Sequence, residues 1–114
     1  MREIKFRAII PINSNEPKKM VYYDCSRIDD LNRMAYEDWD INKLMRFTGL
    51  TDKNGKEIYE GDFIYYDLAE GLGLPKQTGL KREVKYSPYG FFGQYDINII
   101  VIGNVHENPE LLIQ

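Results

Sequence analysis

Cysteine, histidine and tryptophan each occur once in this chain of 114 residues. With Cys25 alone, an intramolecular disulfide and a cysteine-based metal cage are both excluded. Its acidic neighbours Asp24 and Asp30 raise a thiol pKa, which argues against a nucleophile, and a free thiol suits a reducing cytoplasm. A metal site needs several ligands and a catalytic triad needs a base with an orienting partner, so His106, even beside Glu107, reads as a strand-end surface residue. Long apolar runs are missing too. The longest stretch, near Ile97–Ile102, is far too short to span a membrane, and the start "MREIKFRAII" lacks the apolar core of a signal peptide. A soluble, cytoplasmic protein is expected. Positive charge is not in excess: the net charge is −3, so the overall field does not favour nucleic acid. The glycine-rich "GLGLPKQTG" lacks the Gly-Lys-Ser/Thr ending of a phosphate loop, and no other pattern asks for a cofactor.

Aromatic residues and acids are plentiful. Nine tyrosines and five phenylalanines sit in a chain of one-domain length. Charge is unevenly spread: residues 24–70 carry twelve acids against six bases, while 1–23 and 71–90 are each net positive. Ile4, Phe6, Ala8 and Ile10 alternate with Lys5 and Arg7, the period of a half-buried strand. Pro11 ends it, "NSNEP" supplies turn residues and "KKMVYYD" returns, so 3–24 reads as an antiparallel hairpin. In "SRIDDLNRMAYEDWD", Ser26 and Asp29 imitate a capping box. Ile28, Leu31, Ala35 and Trp39 lie close to one helical face, predicting a helix over about 27–37. "KLMRF" and "FIYYD" read as strands, 68–79 as a mobile surface loop, "LKREVKYS" as a further strand, and "PYG" as a turn into "FFGQY". "INIIVIGNV" is apolar on both faces and reads as a central strand, with a "PELL" turn after it. Short strands with frequent turns favour a small barrel or sandwich.

The stretch "TDKNGKEIYEGDFIYYD", residues 51–67, looks most like chemistry. An EF-hand needs oxygen ligands at loop positions 1, 3 and 5, Gly at 6 and Glu at 12. Here Asp52 and Asn54 fit the first two, but Gly55 falls at 4, Glu57 at 6 and Phe63 at 12. The spacing fails. A double turn explains the same residues: Asp52 bonds its own downstream backbone, Asn54-Gly55 makes the first bend and Gly61 permits the second. Neither catalytic nor metal-binding residues are assigned. Eighteen acids offer so many carboxylate pairs that a hydrolytic enzyme stays a remote alternative. The candidate partner-binding set is Tyr65, Tyr66, Lys81, Arg82, Lys85, Tyr86 and Tyr89. Aromatics beside cations can stack bases and hold phosphates, yet aromatics in strands more often form core and cross-strand pairs.

Four segments, "IKFRA" at 4–8, "KKMVYY" at 18–23, "FTGLTDKNGKEIYEGDFI" at 47–64 and "VIGNVHENPELL" at 101–112, resemble the YopX family of small phage and prophage proteins in that family's order. Members typically carry a tryptophan soon after "FRA", where this chain has Ile9. The resemblance implies an N-terminal α+β portion and a C-terminal SH3-like β-barrel, with no catalytic residues attached to its motifs and no established function. The expected architecture is therefore α+β and mostly β, a hairpin with a helix over 1–46 and an SH3-like barrel over 47–114. The expected role is a non-enzymatic accessory protein of a phage or prophage that binds a phage or host protein, or itself as a homo-oligomer. A nucleic-acid-binding barrel is the alternative.

Overall fold

The computed structural model describes residues 4–10, 19–36, 44–87, 90–93 and 95–113. The turn predicted at "NSNEP", Trp39 and Tyr89 lie outside these residues. The chain divides into two compact units, Met1–Gly49 and Leu50–Gln114. It is mostly β, with seven strands, one α-helix and a closing 3₁₀ helix among the described residues.

In the first unit, β1 (Lys5–Ile10) pairs antiparallel with β2 (Lys19–Asp24) from Lys5↔Asp24 to Ile10↔Lys19. On its other side β1 meets β3 (Met45–Thr51) through Phe6↔Arg46 and Arg7↔Met45. The predicted alternation along β1 fails. Arg7, Ala8 and Ile9 are all buried while Ile4 is exposed, so successive residues on both faces of β1 are shielded from water and the strand is not half-buried.

Helix α1 spans Ile28–Tyr36, within a residue of its expected limits. Its start is built differently from a capping box. The Ser26 hydroxyl and N–H both donate to Asp24 Oδ1, at 2.7 and 2.9 Å, and Asp30 Oδ2 accepts the Asp24 N–H. Asp24 thus forms the turn that feeds the helix, since its short side chain reaches the N–H two residues on. The Arg33 guanidinium lies 5.2 Å from the centre of the Tyr23 ring on β2. The predicted apolar face is not buried at its start: Ile28 is 74% exposed and Leu31 is exposed as well.

In the second unit, β3 turns back at Asp52–Lys56 into β4 (Glu57–Tyr59), its neighbour in the sheet. A three-stranded antiparallel sheet follows with β5 (Asp62–Leu68) between β6 (Gln77–Glu83) and β7 (Asp96–Asn104). The central strand is therefore β5, and the strand expected to be central, β7, is at an edge. "FFGQY" forms no strand among its described residues: Ser87↔Gly90 is an isolated bridge and 91–92 is a bend. β6 begins at Gln77, inside the predicted loop, and stops at Glu83.

The sheet curls because extra residues are inserted on both sides of β5. Between Tyr66↔Leu80 and Leu68↔Gln77, β6 holds one residue too many, and Gly79 takes φ +70°. Between Tyr65↔Ile100 and Asp67↔Ile97 the extra residue lies in β7, where Asn98 takes φ +51°. A second β7 bulge falls between Phe63↔Gly103 and Ile64↔Val101. Bulges bend a strand and increase its twist, and glycine and asparagine tolerate the left-handed backbone they require. The curl wraps around Ile58, Ile64 and Val84, with Tyr66, Phe91, Phe92, Ile99 and Val101 packed beside them. Full burial of each of the three contributes roughly 1.5–3 kcal/mol.

Candidate functional site

The three aspartates of the 51–67 stretch each accept hydrogen bonds from main-chain N–H groups. Asp52, 6% exposed, accepts from Asn54 N–H at 2.8 Å and Lys56 N–H at 2.9 Å through Oδ1. Its Oδ2 accepts from Val101 N–H on β7 at 3.0 Å, and next to it Lys53 N–H donates to Ile99 O at 2.9 Å. The turn thus covers the outer edge of β7, occupying main-chain groups that another strand would otherwise pair. Burial pushes the Asp52 carboxyl up, but the N–H groups of Val101, Lys56 and Asn54 together outweigh it and hold the pKa below 3.8. Gly55 takes φ +84°, as the bend after Asn54 requires.

The second bend is tied just as closely. Asp62, 1% exposed, accepts the Tyr59 N–H at 2.8 Å. Gly61, at φ +85°, donates to Val84 O and accepts from Val105 N–H, so the turn is bonded at the ends of both flanking strands. At the other end of β5, Asp67 reaches both bulges: Oδ1 accepts from Gly79 N–H at 3.1 Å and Oδ2 from Asn98 Nδ2 at 3.0 Å. The Asn98 amide and then the Gly79 N–H pull its pKa below 3.8.

The "GNVHENP" segment is a turn built on Asn104. Its Oδ1 accepts from His106 and Glu107 N–H, its Nδ2 donates to Glu107 Oε1 at 2.8 Å, and its own N–H donates to Asn108 Oδ1. The Glu107 carboxylate that could have oriented His106 is thus bonded to Asn104. A Cβ at Gly103 would lie 2.6 Å from Asn108 Oδ1, which explains glycine there. The 3₁₀ helix Pro109–Ile113 follows. Among the described residues no group of three or more His, Cys, Asp and Glu side chains is placed to hold a metal. Burial first, then Asp24 and Asp30, push the Cys25 thiol upward, away from the reactive thiolate.

The aromatic and basic candidates are divided between the faces of the curled sheet. Tyr65 and Lys81 are direct cross-strand partners, the Lys81 ammonium 5.2 Å from the ring centre, and both are exposed. Arg82 is on the opposite face. Its guanidinium lies 4.6 Å from the Tyr66 ring centre and 5.5 Å from that of Phe92, and it pairs with the Asp96 carboxylate. Lys85 and exposed Tyr86 lie beyond the end of β6, where Tyr86 meets Phe91 edge to face at 5.5 Å. Arg82, Lys85, Ser87, Phe91 and Phe92 border an open depression of about 330 Å³. Asp62, Asp67, Asn98 and Asn104 were not singled out by sequence. A glycine directly before Asp62 and Asn104 was the available signal for those two, while Asp67 and Asn98 lie between non-glycine, non-proline residues and carry none.

The YopX protein family matches residues 5–113 of the chain. No curated protein matches. Among solved structures, the crystal structure of protein EF1440 from Enterococcus faecalis is similar at 25% identity and a TM-score of 0.49, over 96% of this chain and 97% of that one. No helix among the described residues is long and apolar enough to cross a membrane.

Proposed function

The chain belongs to the YopX family, and on that basis we propose that it is a non-enzymatic accessory protein of a phage or prophage that works by protein interaction and self-association in the bacterial cytoplasm. Its second unit is taken as an SH3-like barrel whose curl comes from the bulges flanking β5. One observation carries the functional reading. Asp52, Asp62 and Asp67, the aspartates of 51–67, accept hydrogen bonds from the fold, whereas Tyr65 and Lys81 stand exposed together on an outward face. A rigid aromatic beside a cation is a common element of protein interfaces.

The nucleic-acid alternative is weakened by the division of its residues. Arg82 is paired with Asp96 and lies against two rings on the face opposite Tyr65 and Lys81, so the basic and aromatic groups do not form one continuous track. Light scattering behind a sizing column tests the self-association at low and high salt. A mass above the single-chain 13.4 kDa at tens of micromolar supports it, and 13.4 kDa in both buffers contradicts it.

A further inference from the structure

We infer that two copies of this chain exchange hairpin tips, Leu72 and Leu74 of each entering the depression beside Phe91 and Phe92 of the other. This rests on the self-association reading and gives it a surface. The tip lies between β5 and β6 and is fastened at its base. Gly71 and Leu74 exchange main-chain hydrogen bonds at 3.1 and 2.8 Å, and the Ala69 N–H donates to Tyr95 O at 2.8 Å. The Tyr95 ring lies so close to Gly71 that a Cβ there would stand 2.6 Å from its Cε1. Leu72 is held at φ +51°, in the left-handed region that disfavours leucine. It is nonetheless 86% exposed and Leu74 60%, so packing within one copy does not offset the strain. Backbone outliers gather at functional sites, and a side chain presented by an ordered turn loses little freedom on binding.

Charge complementarity selects a second copy as the occupant. The depression, about 330 Å³, is at the small end for a ligand pocket and suits side chains. The half-buried rings of Phe91 and Phe92 line it, with Glu83 and exposed Lys85 beside them. Arg82 at its border is already paired with Asp96, so Lys85 and Glu83 are the charges an occupant meets. The leucines bring their own: exposed Glu70 precedes them and exposed Lys76 follows. With Glu70 beside Lys85 and Lys76 beside Glu83, every charge faces its opposite, whereas the reversed orientation sets like against like. Each copy carries one tip and one depression. Exchange about a two-fold axis therefore covers both tips and fills both depressions, which closes the assembly as a dimer.

Variants on both sides of the contact test it by light scattering across a dilution series at low salt, with circular dichroism verifying each fold. Wild type is expected at twice 13.4 kDa. Leu72→Asn should raise the dimer dissociation constant by about tenfold or more. Its urea midpoint, measured at a dilution where wild type is monomeric, should rise rather than fall, because asparagine suits the left-handed backbone. Glu70→Lys and Lys85→Glu each create two like-charge pairs per dimer and should each weaken it by about tenfold or more, and the double reversal should return it to within about threefold of wild type. A dimer indifferent to Leu72→Asn or to both reversals, or reversal losses that the double variant fails to restore, overturns the tip contact and leaves self-association standing. A wild-type monomer overturns both.

Discussion

Asp52 Oδ2 and Val101 N–H lie 3.0 Å apart although 49 residues separate them in sequence. The same carboxylate holds its own turn through Asn54 and Lys56, so one side chain shapes a β-turn and fastens it along the edge of a distant strand. A hydrogen bond to an ionised acceptor contributes more than a neutral one, and a buried donor left without its acceptor is costly. The acids that suggest an ion site in sequence here close a sheet.

Gly61 anchors the second bend at φ +85° with both main-chain groups bonded to neighbouring strands. A β-branched residue is strained at that φ. Gly61→Val should lower stability by about 1–3 kcal/mol in urea denaturation. An unchanged midpoint would refute the strain argument.

Leu72 should respond in the opposite direction. Gly71 and Leu74 exchange main-chain hydrogen bonds across Leu72 and Gly73, whose φ values are +51° and +79°, the backbone of a two-residue turn with both centres left-handed. Leucine suits this poorly, and at 86% exposure it gains no packing in return. Leu72→Asn should raise stability by about 1 kcal/mol. A loss of stability would show that the side chain is held by something else.

Part of this was legible from residue patterns. Pairing of β1 with β2, the helix from Ile28 and the bend at Asn54-Gly55 depend on neighbours close in sequence, and local chemistry reveals such neighbours. The edge position of β7 was not legible. "INIIVIGNV" has the apolar run of a central strand, but its outer edge is closed by Asp52 and Lys53 instead of a further strand, and the Asp52–Val101 bond spans 49 residues that no periodicity records. The bulges at Gly79 and Asn98 escaped for a similar reason: each is specified partly by Asp67 on the neighbouring strand. The split of Tyr65 from Tyr66 follows from strand alternation, yet which face is outward depends on the curl. The buried Arg7 defeats the alternation of β1 altogether.

Acid should destabilise the protein through these carboxylates. Asp52, Asp67 and Asp24 have folded pKa values below the ordinary 3.8, the last through the Ser26 hydroxyl and N–H. A depressed folded pKa contributes stability that is present above the unfolded value and lost as pH falls through the folded one. The urea midpoint should therefore decline below about pH 4, and less steeply in Asp52→Asn. A variant that tracks wild type throughout would remove Asp52 from the effect.

Calcium and magnesium titrations followed by calorimetry should be flat, since Asp52, Asp62 and Asp67 already accept hydrogen bonds from the fold. Binding tighter than about 10 µM, within the range of sensor loops, would reverse the reading of 51–67.

The most direct test of a scaffold role for that stretch is the unfolding free energy of Asp52→Ala at neutral pH. Removing the carboxylate leaves the Asn54, Lys56 and Val101 N–H groups without their acceptor. A loss of about 3 kcal/mol or more is predicted, at the upper end for a single substitution. Stability within about 0.5 kcal/mol of wild type, the range of an ordinary surface substitution, would contradict the account.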